Sequence, residues 1–147
     1  MKRISILGST GSIGTQALDV IEKNGDKFRA TALSCAKNIE LLCSQIEKFK
    51  PDAVSVEREE DAAYISKRFG KLEIFHGREG LKAIASMEEC DLVLNSLMGI
   101  RGLEPTLAAV ESGKDIAFAN KETLVAGGEL VMAAVKRKGI RLLPVDS

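Results

Sequence analysis

One histidine, His76, and three cysteines, Cys35, Cys43 and Cys90, are all that the 147 residues offer of two side chains much used for relays and metal cages. A lone histidine argues against a Ser-His-Asp triad and against a histidine-rich metal cluster; His76 is expected in an exposed loop. An odd number of cysteines without Cys-x-x-Cys spacing argues against a disulfide framework and against a zinc site, and suits a reducing cytoplasm. Net charge is lacking too: 21 Lys plus Arg balance 21 Asp plus Glu, so no overall field draws the chain to nucleic acid or to an acidic membrane, and any anion site must be local. Apolar runs are short. Ile4 to Leu7, after Met1-Lys2-Arg3, is too brief for a signal peptide, and no stretch approaches the roughly 20 apolar residues of a membrane span.

What is present is alternation. Short apolar runs at residues 3–7, 29–34, 53–56, 72–75, 92–95, 115–119 and 141–145 read as strands. Between them, residues 12–23, 39–49, 59–69, 78–86, 102–111 and 121–137 read as helices. The clearest is 39–49, where Leu42, Ile46 and Phe49 recur at three to four residues. Asn24-Gly25, Gly70, Gly77, Gly113 and Gly139 punctuate the boundaries, and Pro51 stands between a helix and a strand. The fold class expected is α/β, a Rossmann-like, open, mostly parallel sheet of about seven strands with helices on both faces, in one domain over residues 1–147. The seventh strand reaches Asp146-Ser147 with nothing after it, which leads us to expect a piece of a longer protein.

Gly8-Ser9-Thr10-Gly11-Ser12-Ile13-Gly14 follows the first strand and opens a helix. The spacing is Gly-x-x-Gly-x-x-Gly, a looser match than the commoner Gly-x-Gly-x-x-Gly, but the strand-to-helix setting is that of a dinucleotide pyrophosphate loop. Gly8 permits the sharp exit from the strand, Gly11 lets backbone approach phosphate, and Gly14 lets the helix lie close. Ser9, Thr10 and Ser12 add hydroxyl donors, and the helix start favours an anion. The alternative is an ordinary strand-to-helix turn. An NAD site usually carries an acid after the second strand, on the ribose hydroxyls; here stands Ser34-Cys35-Ala36-Lys37-Asn38. With no carboxylate and with Lys37 to pair, a 2′-phosphate is favoured and the cofactor expected is NADPH. The alternative is that Asn38 merely caps the next helix and Lys37 is a solvated surface charge; both roles can coexist for Asn38.

Asn120-Lys121-Glu122 follows the sixth strand at the carboxyl end of the sheet, where open α/β folds bind ligands. Lys121 there can grip a phosphate or polarised oxygen, and Glu122 can accept a hydrogen bond or simply favour the helix start; a purely structural role is as good a reading. Gly127-Gly128 in the next helical stretch marks close packing or a helix start displaced past it. Asp146 could help hold a hard divalent cation, but one carboxylate is not a metal site, and a helix cap is the plainer role.

Gly8 to Gly14, Ala36-Lys37-Asn38, Pro105-Thr106-Leu107-Ala108-Ala109, Ala119-Asn120-Lys121-Glu122 and Leu143-Pro144-Val145-Asp146-Ser147, in this order and across the whole chain, resemble the 1-deoxy-D-xylulose 5-phosphate reductoisomerase family. The resemblance implies the NADPH-binding part of an enzyme of the non-mevalonate isoprenoid pathway. That enzyme rearranges the carbon skeleton of its sugar phosphate and reduces the resulting aldehyde to 2-C-methyl-D-erythritol 4-phosphate. It implies Mg or Mn as the divalent metal, a cytoplasmic homodimeric parent, and no nucleic-acid or membrane partner. By motif, Gly8, Thr10, Gly11, Ser12 and Ile13 meet the pyrophosphate, Ala36, Lys37 and Asn38 surround the adenosine phosphate, and Asn120 and Glu122 touch the cofactor. Lys121 and Ser147 would meet substrate, and Asp146 would bind the metal. Ala36 departs from the glycine often found there by a methyl group. No complete catalytic set is expected within these residues, so the chain should bind cofactor without turnover. Two other readings stay open: an NADP-dependent dehydrogenase acting on a semialdehyde or alcohol, and a nucleotide-sensing module without chemistry.

Overall fold

The computed structural model describes residues 1–119 and 127–145. Seven strands form one sheet: β1 (Lys2–Leu7), β2 (Phe28–Cys35), β3 (Ala53–Val56), β4 (Glu73–His76), β5 (Leu92–Asn95), β6 (Asp115–Phe118) and β7 (Leu142–Pro144). Their spatial order is β4-β3-β2-β1-β5-β6-β7, and every adjacent pair is parallel. The order turns back at β1, whose neighbours are β2 and β5, and this reversal is where an open α/β sheet leaves a crevice at its carboxyl edge. The described α-helices are α1 (Ser12–Lys23), α2 (Ile39–Phe49), α3 (Glu59–Arg68), α4 (Gly77–Ser86), α5 (Leu103–Glu111) and α6 (Gly128–Lys138), with a 3-10 turn over Gly99–Gly102.

Strand periodicity sorts the core into two layers. Ile6, Leu33 and Val54 pack with Leu18, Leu42 and Ile65 of α1, α2 and α3. Their strand neighbours Leu7, Ala32 and Ala53 pack with Ile84, Val110 and Ala134 of α4, α5 and α6. Successive side chains of a strand point to opposite faces, so strands covered on both sides must be apolar throughout. Helix ends follow local rules. Asn38 Oδ1 accepts the Leu41 amide at 3.2 Å to cap α2, α3 opens on Glu59, Glu60 and Asp61 and closes on Lys67 and Arg68, and α6 stops at Gly139, whose φ of 68° suits glycine.

Several element ends shift by about one residue from the sequence expectation, and three differences are of consequence. β4 lies one residue later than 72–75, so exposed His76 ends a strand instead of standing in a loop. The stretch expected as a helix from residue 102 starts with the 3-10 turn, and α5 begins at Leu103. The helix expected over 121–137 is described only as α6, which starts at Gly128 and runs one residue further, while residues 121–126 lie outside the described residues. Of the two readings of Gly127-Gly128, close packing holds at Gly127, where a Cβ would meet Leu103 Cδ1 at 2.2 Å, while the helix starts at Gly128 itself and not past the pair.

The amino edge of the sheet is stitched by three Arg–Asp pairs. Arg3 forks onto Asp91 (Nη2 to Oδ1 3.0 Å, Nε to Oδ2 3.2 Å), and the Arg3 amide also donates to Asp91 at 2.8 Å. Arg29 forks onto Asp52 at 3.0 and 3.1 Å. The Arg141 side chain and amide both reach Asp115, at 2.9 Å each. Each pair ties a strand start to its neighbour, at the end of the sheet opposite the crevice. The Arg3 side chain and amide hold the Asp91 carboxyl down from 3.8 to about 2. A carboxylate with a lower pKa folded than unfolded stabilises the fold above its unfolded value, and that contribution fades as pH falls from about 4 toward about 2. The pair is partly exposed, so solvent keeps the effect small. Asp91→Asn is therefore expected to lower the urea midpoint at neutral pH, with the gap to the native chain narrowing at about pH 2.5; a gap equal at both pH values would contradict this.

Candidate functional site

β1 leaves the sheet at buried Leu7 and turns through Gly8, whose φ of +86° few other residues tolerate. Ser34, near the end of β2, then holds the loop: its hydroxyl accepts the Gly8 amide at 2.9 Å and its carbonyl accepts the Ser9 amide at 2.8 Å. Ser96, just past β5, holds it from the other side, donating its hydroxyl toward the carbonyls of Leu7 (2.7 Å) and Gly8 (3.1 Å). A Cβ on Gly14 would fall 2.3 Å from the Gly8 carbonyl oxygen and 2.6 Å from Ser9 Cα, so α1 lies against the loop with no room for a side chain. A Cβ on Gly11 would meet only the Gly8 oxygen, at 3.8 Å, and that side of the loop is open.

The start of α1 is bare of compensation. Its N-cap, Gly11, offers no side-chain cap, and its first turn holds no acid, whereas α2, α3, α4, α5 and α6 each carry Glu or Asp in the first turn. The backbone N–H groups of Thr10, Ser12 and Ile13 have no partner among the described residues. An uncompensated helix start with free amides attracts an anion.

A cleft of about 920 Å³ opens from this loop along the carboxyl edge of the sheet. One wall is the end of β2 at Ser34, Cys35 and Ala36, continuing to β3; the other is the segment after β5. That segment is shaped by buried Asn95, whose Nδ2 donates to the Gly102 carbonyl (3.1 Å) and Thr106 Oγ1 (2.7 Å) while its Oδ1 accepts the Leu97 amide (3.0 Å). The consequence is that Met98 and Ile100, each 73% exposed, stand over the cleft as apolar surface. An Arg78–Glu104 ion pair joins the first turns of α4 and α5 at the cleft. Burial pushes the Cys35 thiol up to about 12, so it stays neutral and unreactive. The arrangement suits a long ligand with an anionic middle and flat, partly apolar ends.

The model of the 1-deoxy-D-xylulose 5-phosphate reductoisomerase family matches residues 4–128. The chain belongs to this family. It is 51% identical over 148 residues to the 1-deoxy-D-xylulose 5-phosphate reductoisomerase of Shouchella clausii, covering 100% of this chain and 39% of that protein. Among solved structures, it superposes on a DOX-P reductoisomerase in complex with NADPH, fosmidomycin and magnesium with a TM-score of 0.93 at 35% identity, over 98% of this chain and 36% of that one. The reductoisomerase from Zymomonas mobilis in complex with NADPH gives 0.91 at 34% identity, over 99% and 39%. The chain thus spans about two fifths of the length of the relatives it matches.

Of the residues singled out from sequence, Gly8, Thr10, Gly11, Ser12, Ile13 and Ala36 line one cleft. Asn38 caps α2, and exposed Lys37 stands just beyond Ala36, outside the lining. Asn120, Lys121, Glu122, Asp146 and Ser147 lie outside the described residues. Ser9 is a correction. Expected as a hydroxyl donor to ligand, it is fully buried, with its hydroxyl given to Gln45 Oε1 at 2.7 Å. Ser34, Ser96 and Asn95 were not foreseen as site-building residues; the signal in sequence is that each ends or follows a strand at the carboxyl edge.

These contacts separate two glycines. Gly14→Ala is expected to cost about 1 to 3 kcal/mol in stability by overpacking, whereas Gly11→Ala, facing open space, should leave the thermal midpoint near that of the native chain. Thermal unfolding of both variants checks this, and equal midpoints would refute it.

Proposed function

We propose that this chain is the NADPH-binding domain, residues 1–147, of an enzyme that converts 1-deoxy-D-xylulose 5-phosphate to 2-C-methyl-D-erythritol 4-phosphate, and that it binds cofactor without turning over by itself. The observation that carries the reading is the start of α1, uncapped and without an acid, with free amides facing a cleft long enough for a dinucleotide. NADPH fits this set: its pyrophosphate would lie on the amides of Thr10 to Ile13, where Gly11 leaves space. Its adenosine would run toward Ala36, with Lys37 and Asn38 at the 2′-phosphate. Its nicotinamide end would run toward the segment after β5, with Asn120 and Glu122 beside it. NADPH would supply the hydride for the aldehyde reduction; the chain's own part is to bind, orient and cover the cofactor.

The remaining assignments, like those of Asn120 and Glu122, rest on motif alone. Lys121 and Ser147 would contact the sugar phosphate, and Asp146 would be one ligand of a Mg or Mn ion. Among the described residues no group of three or more His, Cys, Asp or Glu could hold a metal, and Asp146 lies outside them. A cytoplasmic homodimer is the form proposed for the whole protein. Three buried free cysteines suit a reducing compartment, and among the described residues no helix is long and apolar enough to cross a membrane.

Calorimetric titration tests the cofactor assignment. NADPH should bind more tightly than NADH, and Lys37→Ala should remove about 1 to 2 kcal/mol of that preference, as expected for one charge-assisted contact. Equal affinity for the two, or none for either, would defeat it. The chain alone, given Mn, NADPH and 1-deoxy-D-xylulose 5-phosphate, should oxidise no NADPH, while the whole parent protein should. A parent that leaves the substrate untouched would favour a nucleotide-sensing module instead.

A further inference from the structure

Gln45 sits on the buried face of α2, 6% exposed, beside Leu42, Cys43 and Ile46. An amide buried there costs free energy unless its donor and acceptor are paired. Both ends pair with one residue. Gln45 Nε2 donates to the Ser9 carbonyl at 2.9 Å, and Gln45 Oε1 accepts the Ser9 hydroxyl at 2.7 Å. A carbonyl oxygen can only accept, so this pairing decides which end of the amide faces which atom. Ser9, fully buried, also donates its amide to the Ser34 carbonyl. All its polar groups are therefore used within the protein, and none is left for a ligand.

The neighbours on either side behave differently. Gly8 turns with positive φ, while Thr10, Ser12 and Ile13 keep amides without partners among the described residues. Ser9 is the fixed point between them. The clamp comes from α2, the same helix that Asn38, beside Lys37, caps, so one helix spans the two ends of the proposed adenosine and pyrophosphate track. We infer that Gln45 is a positioning residue: by gripping both polar ends of Ser9 it holds the glycine loop in register with α2, so that the free amides at the start of α1 aim into the cleft. This rests on the cofactor reading above for the identity of the ligand, though not for the grip itself.

The test uses Gln45→Leu, which keeps apolar bulk and removes both hydrogen bonds, and Gln45→Glu. Two probes are titrated: NADPH, which needs the pyrophosphate loop, and adenosine 2′-monophosphate, which has no pyrophosphate. Gln45→Leu should bind NADPH about tenfold more weakly and adenosine 2′-monophosphate about as well as the native chain. Without ligand, amide hydrogen exchange should quicken at Gly8 and Ser9 while β5 and β6 keep their protection. Gln45→Glu adds a pH readout. A protonated carboxyl can donate to the Ser9 carbonyl and accept its hydroxyl, as the amide does, whereas the carboxylate can only accept. Its NADPH affinity relative to the native chain should therefore recover as pH falls. Equal loss for both probes, exchange quickening throughout the sheet, or unchanged exchange at Gly8 and Ser9 would each overturn the inference. A native chain that fails to bind NADPH would instead sink the cofactor reading, and exchange at Gly8 and Ser9 would still decide whether Gln45 holds the loop.

Discussion

The approach of α1 to the end of β1, close enough that a Cβ at Gly14 would strike the Gly8 carbonyl, is the constraint on which the cleft depends. It brings a helix start to the point where the sheet order reverses, and there the first-turn amides lack intrahelical partners by the geometry of any helix. In the other described helices the start is compensated locally, by the Asn38 cap of α2 or by the charge of acids in the first turns of α3 to α6. At α1 neither a side-chain cap nor a first-turn acid stands among the described residues.

Charge is divided accordingly. The chain has no net charge, and of the ion pairs among the described residues only Arg78–Glu104 lines the cleft. Arg3–Asp91, Arg29–Asp52 and Arg141–Asp115 close the amino edge of the sheet. At the carboxyl edge the loop is held by neutral hydrogen bonds from Ser34, Ser96 and Gln45. Neutral supports leave the helix start's positive potential uncancelled, where a carboxylate in the same place would compete with an anionic ligand. The family to which the chain belongs includes structures solved with NADPH, a ligand of that charge.

Much of the fold was legible because a doubly covered parallel sheet demands apolar strands separated by amphipathic helices. The runs at 53–56 and 92–95 became β3 and β5 without a shift. β4 was less legible: of Glu73, Ile74, Phe75 and His76, none is buried, so the burial that makes a strand plain was absent and the boundary moved by one residue. His76 was misplaced for the same reason. In the site, glycine spacing was legible because glycine's lack of a side chain has few other uses at a strand-to-helix turn. Serine carries no such mark. Ser9 looked like a ligand donor and proved to be a buried strut, since a hydroxyl's partner depends on which segment lies opposite.

The sequence by itself determined the α/β alternation, the glycine loop and the motif series of the reductoisomerase family, because each is written in neighbouring residues whose spacing answers to local geometry. Only the tertiary structure decided that Ser34, Gln45 and Ser96, distant in sequence, converge on Gly8 and Ser9, and that Met98 and Ile100 stand over the same cleft as Ala36. The physical reason is the sheet order. A strand's partner across the crevice is set by how the whole chain packs its two apolar layers, which no local window of residues contains.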